Sequence, residues 1–248
     1  MTWVRLVRAE LRKLTTTKMP WGFLGVLVVI SATTAIAVIF GKDADGTKGF
    51  IATAADQASL MAFGANAMIV AGLFGAIAVS REYGHNSVVP MFLAEPRRAR
   101  AMLAQLAAVL LGGGLLGFVG AGLTVMAVGI SLPFVHYDFM VNVGDLIRLM
   151  LASAFAGAVG AIIGAGAAAV LRNTGGAVTA AVVLLLVLPP IAVQLVNSVA
   201  SWVPSALTNA LSGVSDQVAG LAALGVLAAW ALVFGAIALV AVQRRDIV

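Results

Sequence analysis

The sequence predicts an all-α, polytopic membrane protein with six transmembrane helices, and three observations carry that expectation. Side chains are 62% hydrophobic and only 10% charged, against about a quarter charged in soluble domains. The charges are clustered, with none between Lys18 and Lys42, Asp56 and Arg81, Arg100 and Asp138, Arg148 and Arg172, Arg172 and Asp216, or Asp216 and Arg244. The shortest of these intervals, 19–41 and 149–171, still hold 23 residues, and a helix rising about 1.5 Å per residue needs about 20 to cross the hydrocarbon core. Such a composition excludes a soluble enzyme, a disulfide scaffold, and a nucleic-acid binder that uses its net charge of +5 as a phosphate patch. Zero cysteines exclude thiol catalysis and thiolate metal sites.

The chain begins with an expected amphipathic helix at 2–17. On a helical wheel Trp3, Val4, Leu6, Val7, Leu11 and Leu14 fall on one side and Arg5, Arg8 and Arg12 on the other. A basic amphipathic helix of this kind lies in the membrane interface, its apolar face in lipid and its arginines at anionic head groups. Glu10 falls inside the apolar arc, where an unpaired carboxylate is costly. The expectation is that it pairs with a base from the chain's own loop or from a partner subunit.

Six spans follow, at about 19–40, 59–80, 102–131, 146–171, 175–199 and 218–242. Ala35-Ile36-Ala37 imitates a signal-peptidase site, but the apolar run continues past it, so the first span is read as retained. Leu132-Pro133-Phe134 is read as the stop of the third span. Small residues recur every four positions at Gly113, Gly117 and Ala121 in span three and at Ala152, Ala156, Gly160, Gly164 and Ala168 in span four. Such ridges let helices approach closely. Pro189-Pro190 should kink or interrupt span five and free backbone carbonyls that need other partners. The stretch 201–215, rich in turn formers and small polar residues, reads as a short re-entrant or interfacial segment before the last helix rather than a seventh span.

Lys and Arg are retained on the cytoplasmic side. With both termini there, that side collects Arg5, Arg8, Arg12, Lys13, Lys18, Arg81, Arg97, Arg98, Arg100, Arg172, Arg244 and Arg245, and the other side receives only Lys42, Lys48 and Arg148. An odd number of spans would move Arg244 and Arg245 to the wrong side.

The longest internal cytoplasmic segment runs from Arg81 to Arg100. It places Val88, Val89, Met91, Phe92 and Leu93 among charges, where they must meet lipid, the chain's own helices or another protein. Glu82-Tyr83, the polar residues after it, the short apolar stretch, Pro90 and the basic cluster Arg97-Arg98-Ala99-Arg100 resemble the cytoplasmic coupling element of ABC transporter type-2 permeases. Ala9-Glu10-Leu11-Arg12-Lys13-Leu14 resembles the same family's N-terminal elbow helix, and Trp202-Val203-Pro204-Ser205 its external re-entrant region. Pro90 departs from the unbroken helical turn expected inside the coupling stretch.

That resemblance covers the whole layout and treats 1–248 as a single transmembrane permease domain. It implies the membrane subunit of an exporter, working as a homodimer or with a close homologue in the bacterial plasma membrane. A separate cytoplasmic ABC ATPase subunit would carry ATP and Mg. The implied ATPase-coupling residues are Glu82, Tyr83, His85, Asn86, Val88, Met91, Phe92 and Leu93, and the implied elbow residues are Trp3, Leu6, Val7, Glu10, Leu11 and Leu14. No cofactor or metal is expected on the chain itself. A Gly-x-x-x-x-Gly-Lys-Ser/Thr phosphate loop is absent from the sequence, so nucleotide chemistry must come from elsewhere.

Two other classes stay open. A secondary transporter usually needs a titratable group at mid-membrane, and the charge-free intervals supply none; Asn66, Thr124, Gln194 and Asn197 are the polar candidates for lining a pathway. A non-transporting membrane or immunity protein would share the composition. An intramembrane hydrolase is disfavoured, because the only histidines, His85 and His136, fall on opposite sides of the membrane. The apolar walls suit an amphipathic or lipid-like cargo, with drug, antibiotic, lipid and polysaccharide all compatible.

Overall fold

Two of the six crossing helices are wrapped by the other four. The computed structural model describes residues 2–43, 46–64, 67–84 and 97–244. Six helices in it are long and apolar enough to cross a membrane, and no strand occurs among the described residues. The chain is therefore a multi-pass membrane protein. A short helix α1 (Trp3–Thr16) precedes span one, α2 (Met19–Phe40). Span two, Ala54–Tyr83, is built from α3 (Ala54–Gly64) and α4 (Ala67–Gly84). Then come α5 (Arg98–Ser131) and α6 (Val143–Leu171). Span five is α7 (Thr174–Val182), a π-helical turn (Val183–Val187) and α8 (Leu188–Leu195). A nine-residue helix, α9 (Pro204–Ser212), precedes the last span, α10 (Gly220–Arg244). Successive crossings alternate in direction, so α1 and the last turn of α4 share one end of the bundle, the α1 end; α9 lies at the far end.

The inner pair is span two and α6, with 71% and 72% of their most apolar stretches buried, against 17% for α10. The reason is side-chain size. A Cβ built at Gly164 would overlap the Gly72 carbonyl oxygen, one at Gly75 the Ala161 carbonyl oxygen, and one at Gly117 the Ser153 carbonyl oxygen. The small-residue ridges of the third and fourth spans are thus consumed inside the chain, where backbone lies directly on backbone. One buried polar contact adds to this, Ser31 Oγ to Thr124 Oγ1 at 3.2 Å between α2 and α5, a bond of about 0.6 kcal/mol in membrane interiors.

Span five ends at Leu195, earlier than the sequence suggests, because Val196 is extended; a 3-10 helix, Asn197–Trp202, follows it. The double proline causes the break above it. In an α register the amide facing the Leu185 carbonyl belongs to Pro189, and in a π register to Pro190, so neither can donate. The chain answers with one wide turn, Leu188 N–H to Val183 O, that sets both prolines in the first turn of α8.

At the far end Gln57, fully buried, holds the connections together. Its Nε2 donates to Ile51 O (3.1 Å) and Asp138 O (2.9 Å), and its Oε1 accepts from Met140 N–H (3.0 Å). The third helix stops at Ser131 in a 3-10 turn, Leu132–Val135, with His136 left-handed at φ 62°.

The close approach predicts an asymmetry between glycines. Gly164→Ala should lower the melting temperature of the detergent-solubilised protein by several degrees, through overpacking that costs about 1–3 kcal/mol. Gly25→Ala, with nothing within 4 Å of the new Cβ, should leave it unchanged. Thermal size-exclusion profiles of both variants check this.

Candidate functional site

The last turn of α4 is where the α1 end of the bundle is fastened. A helix turns about 100° per residue, so Ser80, Glu82 and Tyr83 leave it in different directions and each meets a different helix. Ser80 Oγ, fully buried, donates to Thr174 Oγ1 at 3.2 Å on α7. Glu82 Oε1 accepts from Lys13 Nζ at 3.1 Å on α1. The Tyr83 ring lies under the Arg172 guanidinium, 5.6 Å from its centroid, at the end of α6. Arg172 Nη2 also donates to Ala241 O at 3.3 Å on α10. Three residues of one turn therefore tie down α1, α6 and α7, and α10 is reached through Arg172.

Lys13 is shared between two carboxylates. Its Nζ stands 2.6 Å from Glu10 Oε1 as well as 3.1 Å from Glu82 Oε1. Glu10 is buried, at 8% exposure. Among the described residues its base is Lys13, three residues along its own helix, where the sequence suggests one from a loop or a partner subunit. At a spacing of three residues on a helix the two side chains are neighbours. Burial alone would lower the Lys13 pKa, but the hydrogen bond to Glu10 and the charges of Glu82 and Glu10 outweigh it and hold the pKa above the ordinary lysine value.

Around this group α1, α4 and α5 enclose a cleft of about 160 Å³, with Glu10, Lys13, Arg81, Glu82 and the buried amide of Gln105 in its wall. The inward side of α1 is Leu6, Val7, Glu10, Leu11 and Leu14, all buried or half-buried, whereas Arg5, Arg8 and Arg12 are exposed. Trp3 and Val4 reach past the bundle, 41% and 72% exposed.

The other candidates are scattered. Thr124 is fully buried and bonded to Ser31 and to Gly120 O, so it joins α2 to α5. Gln194 and Asn197 are exposed near the far end. Asn66, and the coupling candidates His85, Asn86, Val88, Met91, Phe92 and Leu93, lie outside the described residues. Ser80, Lys13, Gln105 and Arg172 were not singled out for this site from sequence. The readable signals were weak: Lys13 stands three residues after Glu10, and Arg172 is the sole charge between spans four and five. No group of three or more potential metal ligands occurs among the described residues.

No protein-family model matches the chain, and no curated protein matches it.

Replacing Lys13 by Met leaves Glu10 and Glu82 near one another without their shared cation. The loss should be about 1–2 kcal/mol, between the values for exposed and buried pairs since Lys13 itself is 46% exposed. Glu10→Gln added to Lys13→Met should recover part of it. Because the folded-state pKa of Lys13 is raised, the contribution is complete below the ordinary lysine pKa and is lost as pH climbs through the raised value. Wild type should therefore lose this increment only in strongly alkaline buffer, and Lys13→Met should show no such step. Melting temperatures across pH check both points.

Proposed function

We propose that this chain is the permease subunit of an ATP-driven exporter of the type-2 ABC kind. It works as a pair of copies, or with a close homologue, in a bacterial plasma membrane, and is coupled to a separate cytoplasmic ATPase. Both termini face the cytoplasm, α1 is the interfacial elbow helix, and the segment containing α9 is the external re-entrant element.

The observation that carries this reading is the fastening at the end of α4. Residues 80–83 are bonded to α1, α6 and α7, and after them come the apolar residues between Val88 and Leu93 and the basic cluster Arg97-Arg98-Ala99-Arg100, the segment that the sequence marks as a docking surface. A force applied to that stretch has a short route into the bundle. The charge-free spans agree with it, since a transporter without a titratable group at mid-membrane takes its energy from outside itself.

In this mechanism closure of the ATPases on ATP pushes the segment from Glu82 to Leu93 and, through Lys13, the elbow. Nucleotide then shifts the balance between inward-open and outward-open states by its different affinity for the two. The ATPase subunit binds ATP and Mg; this chain supplies the pathway for an amphipathic cargo.

Tagged chain purified from its native membranes should bring down a Mg-ATP-hydrolysing subunit, and Phe92→Asp or Leu93→Asp should release that subunit or uncouple hydrolysis from transport. Intact capture and transport in both variants would overturn the docking assignment, and transport that needs no nucleotide would overturn the class.

Orientation has its own test, made simple by the absence of native cysteines. In intact cells a membrane-impermeant thiol reagent should label Lys42→Cys and should reach Thr2→Cys only after permeabilisation. The opposite pattern would invert the topology.

A further inference from the structure

The break in span five has a consequence on the side facing α10. A straight helix from Thr174 to Leu195 could lie along its neighbour, but the wide turn at Val183–Val187 and the prolines after it redirect the second half. At the far end α9 is anchored on the core by Pro204, Leu207 and Ala210, all buried. Between these two pieces of fixed backbone remains a cavity of about 370 Å³. Its wall includes Leu184, Pro189, Ala192, Trp202, Val226 and Trp230. It lies between the middle of the bundle and the far end, since Leu184 and Ala192 bracket the break and Trp230 is near the middle of α10.

No charged residue lines it, so an ion would lose its hydration there without replacement. Its size is within the roughly 300–1,000 Å³ of small-molecule pockets. Aromatic faces are the distinctive supply. Trp202 and Trp230 stand in the wall, 47% and 38% exposed, and Trp230 is stacked on Phe234 at 6.0 Å, which holds its ring in place. The opening is maintained by backbone, because prolines at the break prevent the helix from straightening to fill it.

We propose that this cavity binds one small, uncharged aromatic molecule taken up sideways from the lipid. The lack of charged groups excludes ions, and two indole rings in the wall favour a ring over a flexible acyl chain, which would also lose rotamer freedom on entry. The site is independent of the permease reading, since it rests only on the break, α9 and the two tryptophans.

The test uses the full chain in lipid nanodiscs and the uncharged photolabel 3-(trifluoromethyl)-3-phenyldiazirine, with labelled residues mapped by mass spectrometry. Labelling should concentrate on Leu184, Ala192, Trp202, Val226 and Trp230, and should saturate and fall when excess trifluoromethylbenzene is added. Ala192→Phe on α8 and Val226→Phe on α10 narrow the cavity from opposite walls, so misfolding of one leaves the other to read. Either should cut cavity labelling about fivefold or more, since the added ring overpacks the space that the probe must occupy. Labelling spread over the exposed faces of α2 and α10, insensitive to competitor and to both substitutions, would mean that bulk lipid fills the space and would overturn the proposal.

Discussion

The rest of the bundle is arranged around the contact of α6 with α4 and α5, where glycines let main chain touch main chain. Inside a bilayer the hydrophobic effect gives helices no reason to prefer one another over lipid. What remains is dispersion between closely spaced atoms, weak Cα–H···O contacts and a few hydrogen bonds. Each needs near approach, and Gly75, Gly117, Gly160 and Gly164 provide it where any side chain would collide with a carbonyl oxygen. Burial follows from that geometry. Span two and α6 are hidden on most sides, and α2, span five and α10 keep most of their surface for lipid or another chain.

Helix ends pose the second constraint, since their last carbonyls lack partners within the helix. Cations are used for this repeatedly. Lys48 Nζ donates to Val38 O and Ile39 O, at 2.6 and 2.7 Å, at the end of α2. Arg148 Nε donates to Leu211 O at 3.0 Å near the end of α9, and Arg172 reaches Ala241 O near the end of α10. Positive charge at a helix C-terminus is stabilising by about 0.3–1 kcal/mol. This bears on the charge count behind the orientation. Of the three basic residues at the far end, Lys48 and Arg148 are committed to helix ends, so their presence there has a local cause. The imbalance of positive charge between the two ends is sharper once they are set aside.

Charge-free intervals made the spans legible, because a charge in hydrocarbon is too costly to be placed by accident, and for α2 the interval and the helix coincide. The break at Pro189-Pro190 was legible for the same kind of reason, a missing donor. The fastening of the α1 end was not. Glu82 and Tyr83 looked like a surface for a partner, yet Glu82 is turned onto Lys13 and Tyr83 lies beneath Arg172. Those contacts join residues 69 apart for Lys13 and Glu82, and periodicity along one helix says nothing about which distant helix its last turn will meet. Gln57 was missed likewise: a glutamine reads as a surface residue until the backbone groups of two loops surround it.

Stiffness is unevenly distributed, and on the permease reading that matters. The glycine contacts make α4 and α6 one body, since neither can slide without backbone atoms colliding. A push delivered at Glu82 enters this body directly and moves α1 with it through Lys13. Span five is hydrogen-bonded to the same turn at its first residues, through Ser80 and Thr174, and beyond Val183 its ladder is broken by the prolines. Its second half can therefore lag behind the inner pair, bending at the one place where no α-helical hydrogen bond has to be broken. Movement imposed at the α1 end would thus appear at the far end mainly as a change in the angle between α8 and α10.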